Sequence, residues 1–104
     1  MLTILEIERH APTECIGNNE TRKAALKLLD TMPELLKKHG IKMVGSWTVH
    51  SEHLTFRVFE APGFEAILKF QDEPECESWR QFTTSELKVA MTMDEVAKHI
   101  RQLG

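Results

Sequence analysis

The chain has 104 residues, of which 41% are hydrophobic and 28% are charged, and its formal net charge is −3. This length fits one domain, residues 1–104, with a single small core. Positive charges form no stripe that could neutralise phosphates, and no apolar run reaches the roughly 20 residues of a membrane span, so we expect neither a nucleic-acid partner nor a membrane. Glu6 interrupts the apolar start before a secretory signal could form, which predicts a cytoplasmic protein.

The two cysteines, Cys15 and Cys76, lie far apart and form no CxxC pair. In a reducing compartment this predicts two free thiols rather than a disulfide. Glu73, Glu75 and Glu77 surround Cys76. Because neighbouring carboxylates raise the pKa of a thiol, we expect Cys76 to be unreactive.

A strand and a long helix are predicted for the first part of the chain. Residues 2–9 have the pattern of a strand, and Asn18-Asn19 offers a helix cap. Apolar residues at 25–36 follow the i, i+3, i+4, i+7 spacing of one helical stripe. Within it, Thr31-Met32-Pro33-Glu34 has the form of a capping box, which predicts a kink or a restarted helix at Thr31. Gly40 suits the position just after the helix end.

Two strands joined by a tight turn give the strongest pattern in the sequence. Residues 41–50 and 53–61 alternate apolar and polar side chains on either side of Ser51-Glu52, with Val49 expected opposite Leu54. Five apolar side chains would then share a face, which we expect the helices to cover: Trp47, Val49, Leu54, Phe56 and Val58. Trp47 and Phe56 are therefore predicted to be core residues.

Helices and one more strand are predicted for the rest of the chain. Pro62-Gly63 opens a helix, and Pro74 separates a short helical piece from it. Residues 81–91 predict a fourth strand, and Thr92-Met93-Asp94-Glu95 is a second capping box before a final helix. This last helix is expected to turn three apolar residues inward: Val96, Ile100 and Leu103.

Together these elements predict an α+β ferredoxin-like fold, βαββαβ with an extra C-terminal helix. Right-handed crossovers give one four-stranded antiparallel sheet in the order 4-1-3-2, with the helices on one face. In this topology the end of strand 1, the end of strand 2 and the start of strand 3 lie at one end of the sheet. Residues distant in sequence are therefore expected to meet there.

Three histidines are predicted to gather at that end of the sheet: His10, His50 and His53. Two or three imidazoles with a carboxylate or a thiolate form a ligand set for Zn, Fe, Cu or Ni, and Glu8 or Cys15 would complete it. The ion would act as a Lewis acid or a redox centre. The alternative is that His50 and His53 flank a solvated turn and that His10 merely ends a strand.

A second candidate site lies on the face that we expect to be free of helices, where Glu6, Glu8 and Arg57 meet. Arg57 would bind a carboxylate-bearing ligand in the barrel cavity, with a glutamate or a histidine as general base. The alternative is an ion pair between strands inside a dimer interface.

The segment HGIKMVGSWTVHSEHLTFRVFEAPGFEAILKF resembles the helix end, hairpin and second helix of small uncharacterised members of the dimeric α/β-barrel superfamily. The resemblance extends over residues 1–92. These ferredoxin-like, antibiotic-monooxygenase-like proteins pack two subunits sheet to sheet around a central cavity, so the resemblance implies a homodimer. It carries over no catalytic residue, because the sequence lacks the signatures of the enzyme branches, and it leaves open whether the protein is an enzyme.

Three functional hypotheses follow from these patterns. The first is a protein that binds a metal ion through His10, His50 and His53. The second is a metal-free monooxygenase-like enzyme or a small-molecule-binding module, in which Arg57 orients an anion in the barrel cavity and His10 or His53 moves protons. The third is a structural or regulatory domain that uses its open face only for self-association.

Overall fold

The computed structural model describes residues 1–104, and short 3-10 turns lie between β1 and α1 and between β2 and β3. The elements follow one another as β1 (Leu2–Arg9), α1 (Asn19–Lys38), β2 (Lys42–Val49), β3 (Leu54–Ala61), α2 (Phe64–Gln71), α3 (Pro74–Arg80), β4 (Thr84–Ala90) and α4 (Met93–Leu103). None of the helices combines the length and the apolar character that crossing a membrane requires.

The four strands form one antiparallel sheet in the order β2-β3-β1-β4. This is the predicted order seen from the other edge, so the predicted ferredoxin-like fold is confirmed. The β2–β3 hairpin has the predicted register, with Val49 opposite Leu54. A bulge between Met43 and Gly45 interrupts the ladder and increases the local twist of this edge strand.

α1 is one continuous helix of 20 residues, Asn19–Lys38. The side-chain oxygen of Asn18 accepts hydrogen bonds from two backbone N–H groups of the first turn, which confirms the predicted cap. The predicted restart at Thr31 does not occur, because its hydroxyl donates to the carbonyl of Lys27 inside the helix instead of capping a new one. Gly40 follows the helix with φ of 67°, a conformation that glycine adopts without strain.

Helices α1, α2 and α3 cover one face of the sheet, and the hydrophobic core lies between these two layers. Ile4, Phe59 and Ala61 are the buried apolar side chains of the sheet. The other core residues come from the helices and the loop before β2, and they are Leu28, Met32, Leu36, Ile41, Ile67, Phe70, Cys76 and Trp79.

The covered face is the opposite of the one that we predicted. Glu6, Glu8 and Arg57 lie beneath the helices at 7%, 4% and 8% exposure, whereas Trp47 is 58% exposed. Alternation along a strand shows which side chains share a face, but not which face the helices cover. The uncovered surface is called the open face here, and its apolar residues are Leu5, Ile7, Trp47, Val49, Leu54, Phe56 and Val58.

α4 begins at the predicted capping box but does not pack as predicted. The Thr92 hydroxyl accepts from the backbone N–H of Glu95, whose carboxylate accepts from the backbone N–H of Thr92. Ile100 and Leu103 are 60% and 74% exposed instead of facing inward, and Val96 is only half-buried. A capping motif determines where a helix starts, but it says nothing about what the helix packs against.

Candidate metal centre and cleft

The turn between β2 and β3 determines the position of His53. After the 3-10 turn His50–Glu52, His53 adopts the left-handed conformation, with φ of 52° and ψ of 47°. This conformation is uncommon for a residue other than glycine. The backbone N–H of His10 donates to the carbonyl oxygen of His53 at 3.2 Å. The bond joins the end of β1 to the start of β3 and brings the two imidazoles together.

Two imidazoles and one thiol converge at this end of the sheet. Nδ1 of His53 lies 3.1 Å from Nε2 of His10, and the rings are nearly perpendicular at 78°. Cys15 lies in the loop that follows the short turn Pro12–Glu14. One ring nitrogen of each histidine and Sγ of Cys15 all lie within 4.8 Å of one another, and all three residues are half-buried. His10, Cys15 and His53 are called the donor cluster.

His50 and Glu8 stand outside the donor cluster. The ring centre of His50 is 6.4 Å from that of His53. Both carboxylate oxygens of Glu8 accept hydrogen bonds from Arg57, so they are already engaged. The structure therefore brings together three of the five side chains that the sequence suggested as metal ligands.

Burial lowers the pKa of His10. The nearby His53 and His50 lower it further, whereas the carboxylate of Glu8 acts in the opposite direction. The imidazole of His10 is therefore neutral near pH 7, and a ring nitrogen can offer its lone pair to a metal ion or a proton.

The lowered pKa of His10 makes the protein less stable in acid. The pKa lies below the ordinary value of 6.5 in the folded state, so the unfolded chain takes up the proton first as the pH falls. The free energy of unfolding should therefore decrease from about pH 7.5 to about pH 5.5. His10→Gln should reduce this decrease in urea unfolding experiments, and the control His99→Gln on α4 should not. Equal pH profiles for wild type and His10→Gln would contradict this prediction.

A network of buried charges lies next to the donor cluster. Nη1 of Arg57 donates to Glu6 at 2.8 Å and to Glu8 at 3.0 Å, and Nη2 donates to Glu8 at 3.3 Å. The second oxygen of Glu6 accepts from the Ser85 hydroxyl at 2.7 Å and from the Gln71 amide at 3.3 Å. These five residues are called the charged network.

Both terminal nitrogens of Arg57 are engaged by the carboxylates of Glu6 and Glu8. Burial lowers the pKa of Arg57, but the carboxylates of Glu8 and Glu6 outweigh burial and raise it above the ordinary value. Since two carboxylates already offset the single positive charge of Arg57, the site does not attract a further carboxylate from a ligand. The geometry matches the ion-pair alternative, but the pair lies beneath the helices rather than in a dimer interface.

A cleft of about 260 Å³ lies between α1 and the sheet, beside the donor cluster. Its polar lining comes from the first three strands and the segments beside them, and consists of Glu8, His10, Cys15, Ser46, Thr48, His50, Thr55 and Arg57. Its apolar lining comes from α1, α3 and the loop before α1, and includes Ile16, Ala25, Leu28, Leu29 and Trp79. The cleft therefore has one wall that can form hydrogen bonds and one wall that can contact an apolar group.

Trp79, on α3, also lines the cleft. It is 8% exposed, and its indole N–H is buried without a hydrogen-bond partner. Leaving such a donor unpaired costs about 1–3 kcal/mol, so buried donors in proteins are usually paired. Trp79 reaches the cleft because α3 packs against α1, and no local sequence signal reports that contact.

The two cysteines are free thiols in different surroundings. Burial raises the pKa of Cys76 to about 12, and the carboxylates of Glu6, Glu75 and Glu73 add to the effect against the charge of Arg80. The expected low reactivity of Cys76 thus has a physical cause, although burial matters more than the surrounding carboxylates. Cys15 instead lies half-buried against imidazoles.

These features define a ferredoxin-like α+β protein with a cleft beneath its first helix and a histidine–cysteine cluster beside that cleft. The chain belongs to the family described as Domain of unknown function (DUF3303), which matches residues 9–104. No match was found among proteins of curated function. The family agrees with the uncharacterised branch that the sequence resemblance indicated.

Solved structures share this fold. Protein Atu4242 from Agrobacterium tumefaciens is 17% identical, with a TM-score of 0.56 over 88% of this chain and 92% of that chain. An uncharacterized NIPSNAP domain protein from Burkholderia xenovorans is 10% identical, with a TM-score of 0.53 over 88% and 96% of the two chains. An antibiotic biosynthesis monooxygenase, 15% identical over 88% and 100%, has a TM-score of 0.45, which is too low to add to the assignment. The predicted superfamily resemblance is confirmed as a likeness of fold alone.

Proposed function

We propose that the protein binds a transition-metal ion at the donor cluster, through His10, Cys15 and His53. The observation that supports this is the convergence of three suitable donor atoms within 4.8 Å of one another. His10 and His53 are 43 positions apart in sequence, so the fold and not the local chain brings them together. The proposal leaves Glu8 out of the ligand set suggested by the sequence, because both of its carboxylate oxygens accept hydrogen bonds from Arg57.

The two ring nitrogens are spaced almost as in a four-coordinate metal site. Sγ of Cys15, which lies within 4.8 Å of one ring nitrogen of each histidine, would move closer when the ion binds. Metal–nitrogen bonds of about 2.0 Å and a metal–sulfur bond of about 2.3 Å, in tetrahedral geometry, separate the donor atoms by roughly 3.3–3.6 Å. The nitrogens of His10 and His53 are 3.1 Å apart and need to separate only slightly. In the metal-free protein, one of these nitrogens carries the hydrogen of their shared hydrogen bond. Binding would move that hydrogen to the other nitrogen of the same ring and release the thiol proton of Cys15.

The chemistry of the donors limits the metal and its use. Imidazole suits Zn, Cu, Fe and Ni, and a thiolate favours the softer Zn and Cu ions. Three protein ligands leave a fourth position for water or substrate, as in catalytic zinc sites. His10 and Cys15 also line the cleft, so the ion would act on a molecule held there, as a Lewis acid or as a redox centre.

Metal binding is tested with untagged protein that has been stripped by a chelator and then titrated with Zn²⁺ or Cu⁺. We expect one ion per chain and release of the Cys15 proton. His53→Ala and Cys15→Ser should each weaken binding by more than about 100-fold, because losing even an outer partner of a ligand costs 10- to 100-fold. Isothermal titration calorimetry measures the affinity of each variant, and elemental analysis measures the number of ions per chain.

His50→Ala is the matched control for the metal titration. It removes an imidazole from the same turn, but from outside the donor cluster, so it should bind metal like the wild type. Circular dichroism checks that each variant folds. Absence of binding after reconstitution with Zn, Cu, Ni and Fe would overturn the proposal. Equal losses in His50→Ala and His53→Ala would show that the ligand set is wrong.

The cleft supports a second candidate function, which is metal-free binding or turnover of a small uncharged molecule. The unpaired indole N–H of Trp79 favours a ligand with a hydrogen-bond acceptor. The two carboxylates that surround Arg57 do not favour an anion. His10 would then be the proton-transfer group. In a Trp47→Phe background the emission reports Trp79 alone, and a ligand that shifts it without metal would support this function.

We also propose that two copies of the chain pair through their open faces. Trp47 is 58% exposed on this face, and its indole lies across Gly45, where a Cβ atom would clash with the ring. A monomer rarely leaves a large contiguous apolar patch in water. Two sheets packed face to face about 10 Å apart would remove these side chains from solvent.

A further inference from the structure

α4 is an amphipathic helix that makes no extensive contact with the rest of its own chain. Met93, Ile100 and Leu103 are 76%, 60% and 74% exposed, and helical spacing places them on one side. No residue of α4 is buried, and α4 has no extensive contact with another element. An apolar stripe of this kind is typical of a helix that packs against another surface.

A groove that suits a helix lies between α1 and the outer edge of β2. Its volume is about 550 Å³. The walls are largely apolar and include Leu29, Pro33 and Met43, and Leu29 is 58% exposed. Two exposed lysines, Lys37 and Lys42, also line it. We call it the α1–β2 groove.

α4 and the α1–β2 groove of the same chain lie at opposite edges of the sheet. α4 follows β4 and the groove borders β2, and these are the two edge strands. Three strand spacings of about 4.8 Å separate them, roughly 14 Å in all. Only Met91 and Thr92 connect β4 to α4, which is too short a connection to carry the helix across the sheet.

The sheet register matches α4 to the groove of a second copy. Lys42, Glu60, Thr3 and Ala90 form one row across the four strands, so β4 ends at the level where β2 begins. Consider two copies whose open faces meet, related by a twofold axis that runs between the sheets and parallel to the strands. This axis does not change the position of a residue along the strand direction, and it places β4 of one copy opposite β2 of the other. We propose that α4 of each copy docks in the α1–β2 groove of a second copy. This rests on the proposed pairing of the open faces.

The charges of the helix and the groove agree with this arrangement. The first turn of α4 carries Asp94 and Glu95, whereas Lys37 and Lys42 line the groove. Lys37 belongs to the basic last turn of α1. Opposite charges at the start of the docked helix would favour one direction of α4 in the groove over the other.

Disulfide cross-linking tests the docking directly. The variant Ile100→Cys/Leu29→Cys, in a Cys15→Ser background, places one thiol on the apolar side of α4 and one in the groove. We expect covalent dimers after mild oxidation, seen on a non-reducing gel. The control Gln102→Cys/Leu29→Cys places the thiol on the opposite side of α4 and should give few covalent dimers.

Sedimentation of the wild-type protein separates the possible outcomes. A wild-type dimer without the Ile100–Leu29 cross-link would overturn the docking of α4 but leave the pairing of open faces intact. A monomer with an intramolecular disulfide would show that α4 reaches its own groove and would overturn both proposals. As a second measurement, Ile100→Asp should raise the dimer dissociation constant at least tenfold. Gln102→Asp is the control and should leave the constant unchanged. Equal effects of the two variants would contradict the docking.

Discussion

Replacing Arg57 by methionine should lower the free energy of unfolding by about 3–5 kcal/mol, a large share of the stability of a small domain. The guanidinium is the positive charge that offsets the carboxylates of Glu6 and Glu8. The residues Arg57, Glu6 and Glu8 are 8%, 7% and 4% exposed. Without Arg57, two carboxylates would remain buried with no opposite charge. Urea unfolding near neutral pH, followed by circular dichroism, measures the loss.

Two further variants separate the effect of the Arg57 charge from the effect of its forked hydrogen bonds. Arg57→Lys keeps the charge but loses the forked hydrogen bonds, so it should lose less stability than Arg57→Met. The triple variant Glu6→Leu/Glu8→Leu/Arg57→Met removes all three charges and should recover much of the loss, because apolar residues often replace a buried ion pair at little cost. A triple variant that is less stable than Arg57→Met would contradict this explanation. The stability of the triple variant can be measured even if Arg57→Met fails to fold.

Trp47→Glu should convert the proposed homodimer into monomers. The indole is 58% exposed in the single chain, so its replacement should leave the monomer core intact. In the dimer it would place a carboxylate in an apolar interface. We expect the dissociation constant to rise by at least about 30-fold, the effect of losing a contact worth about 2 kcal/mol. Sedimentation velocity over a concentration series measures this change.

Leu68→Glu is the matched control for Trp47→Glu. Leu68 is also an exposed apolar residue, at 45%, but it lies on α2 and not on the open face. It should leave the dimer unchanged. A wild type that stays monomeric at high concentration, or equal weakening by both variants, would show that the open face is not the interface.

The strand order and most element ends could be predicted because their signals are local. The alternation on both sides of the β2–β3 turn specified the pairing of Val49 with Leu54, which the structure contains. Asn18 and Thr92 cap α1 and α4 as their sequence patterns indicated. Once the strand order is known, the meeting of His10 with His53 follows from topology.

Other parts of the site could not be read from local pattern. Trp79 reaches the cleft only because α3 packs on α1. Ser85 could have been found by extending the register, since it lies opposite Glu8 on β4. Its hydrogen bond to Glu6, however, depends on side-chain directions that the register does not specify.

Long-range packing decides which face of the sheet the helices cover, which local patterns left open. Both faces of the sheet carry apolar residues, so alternation cannot say which face the helices cover. Glu6 can be buried because Arg57, Ser85 and Gln71, from three other elements, satisfy its oxygens. In the same way, the spacing of α4 shows that the helix has an apolar side but not which surface covers it. Caps, turns and alternation act between near neighbours in the chain, whereas burial depends on every element that comes to lie against a residue.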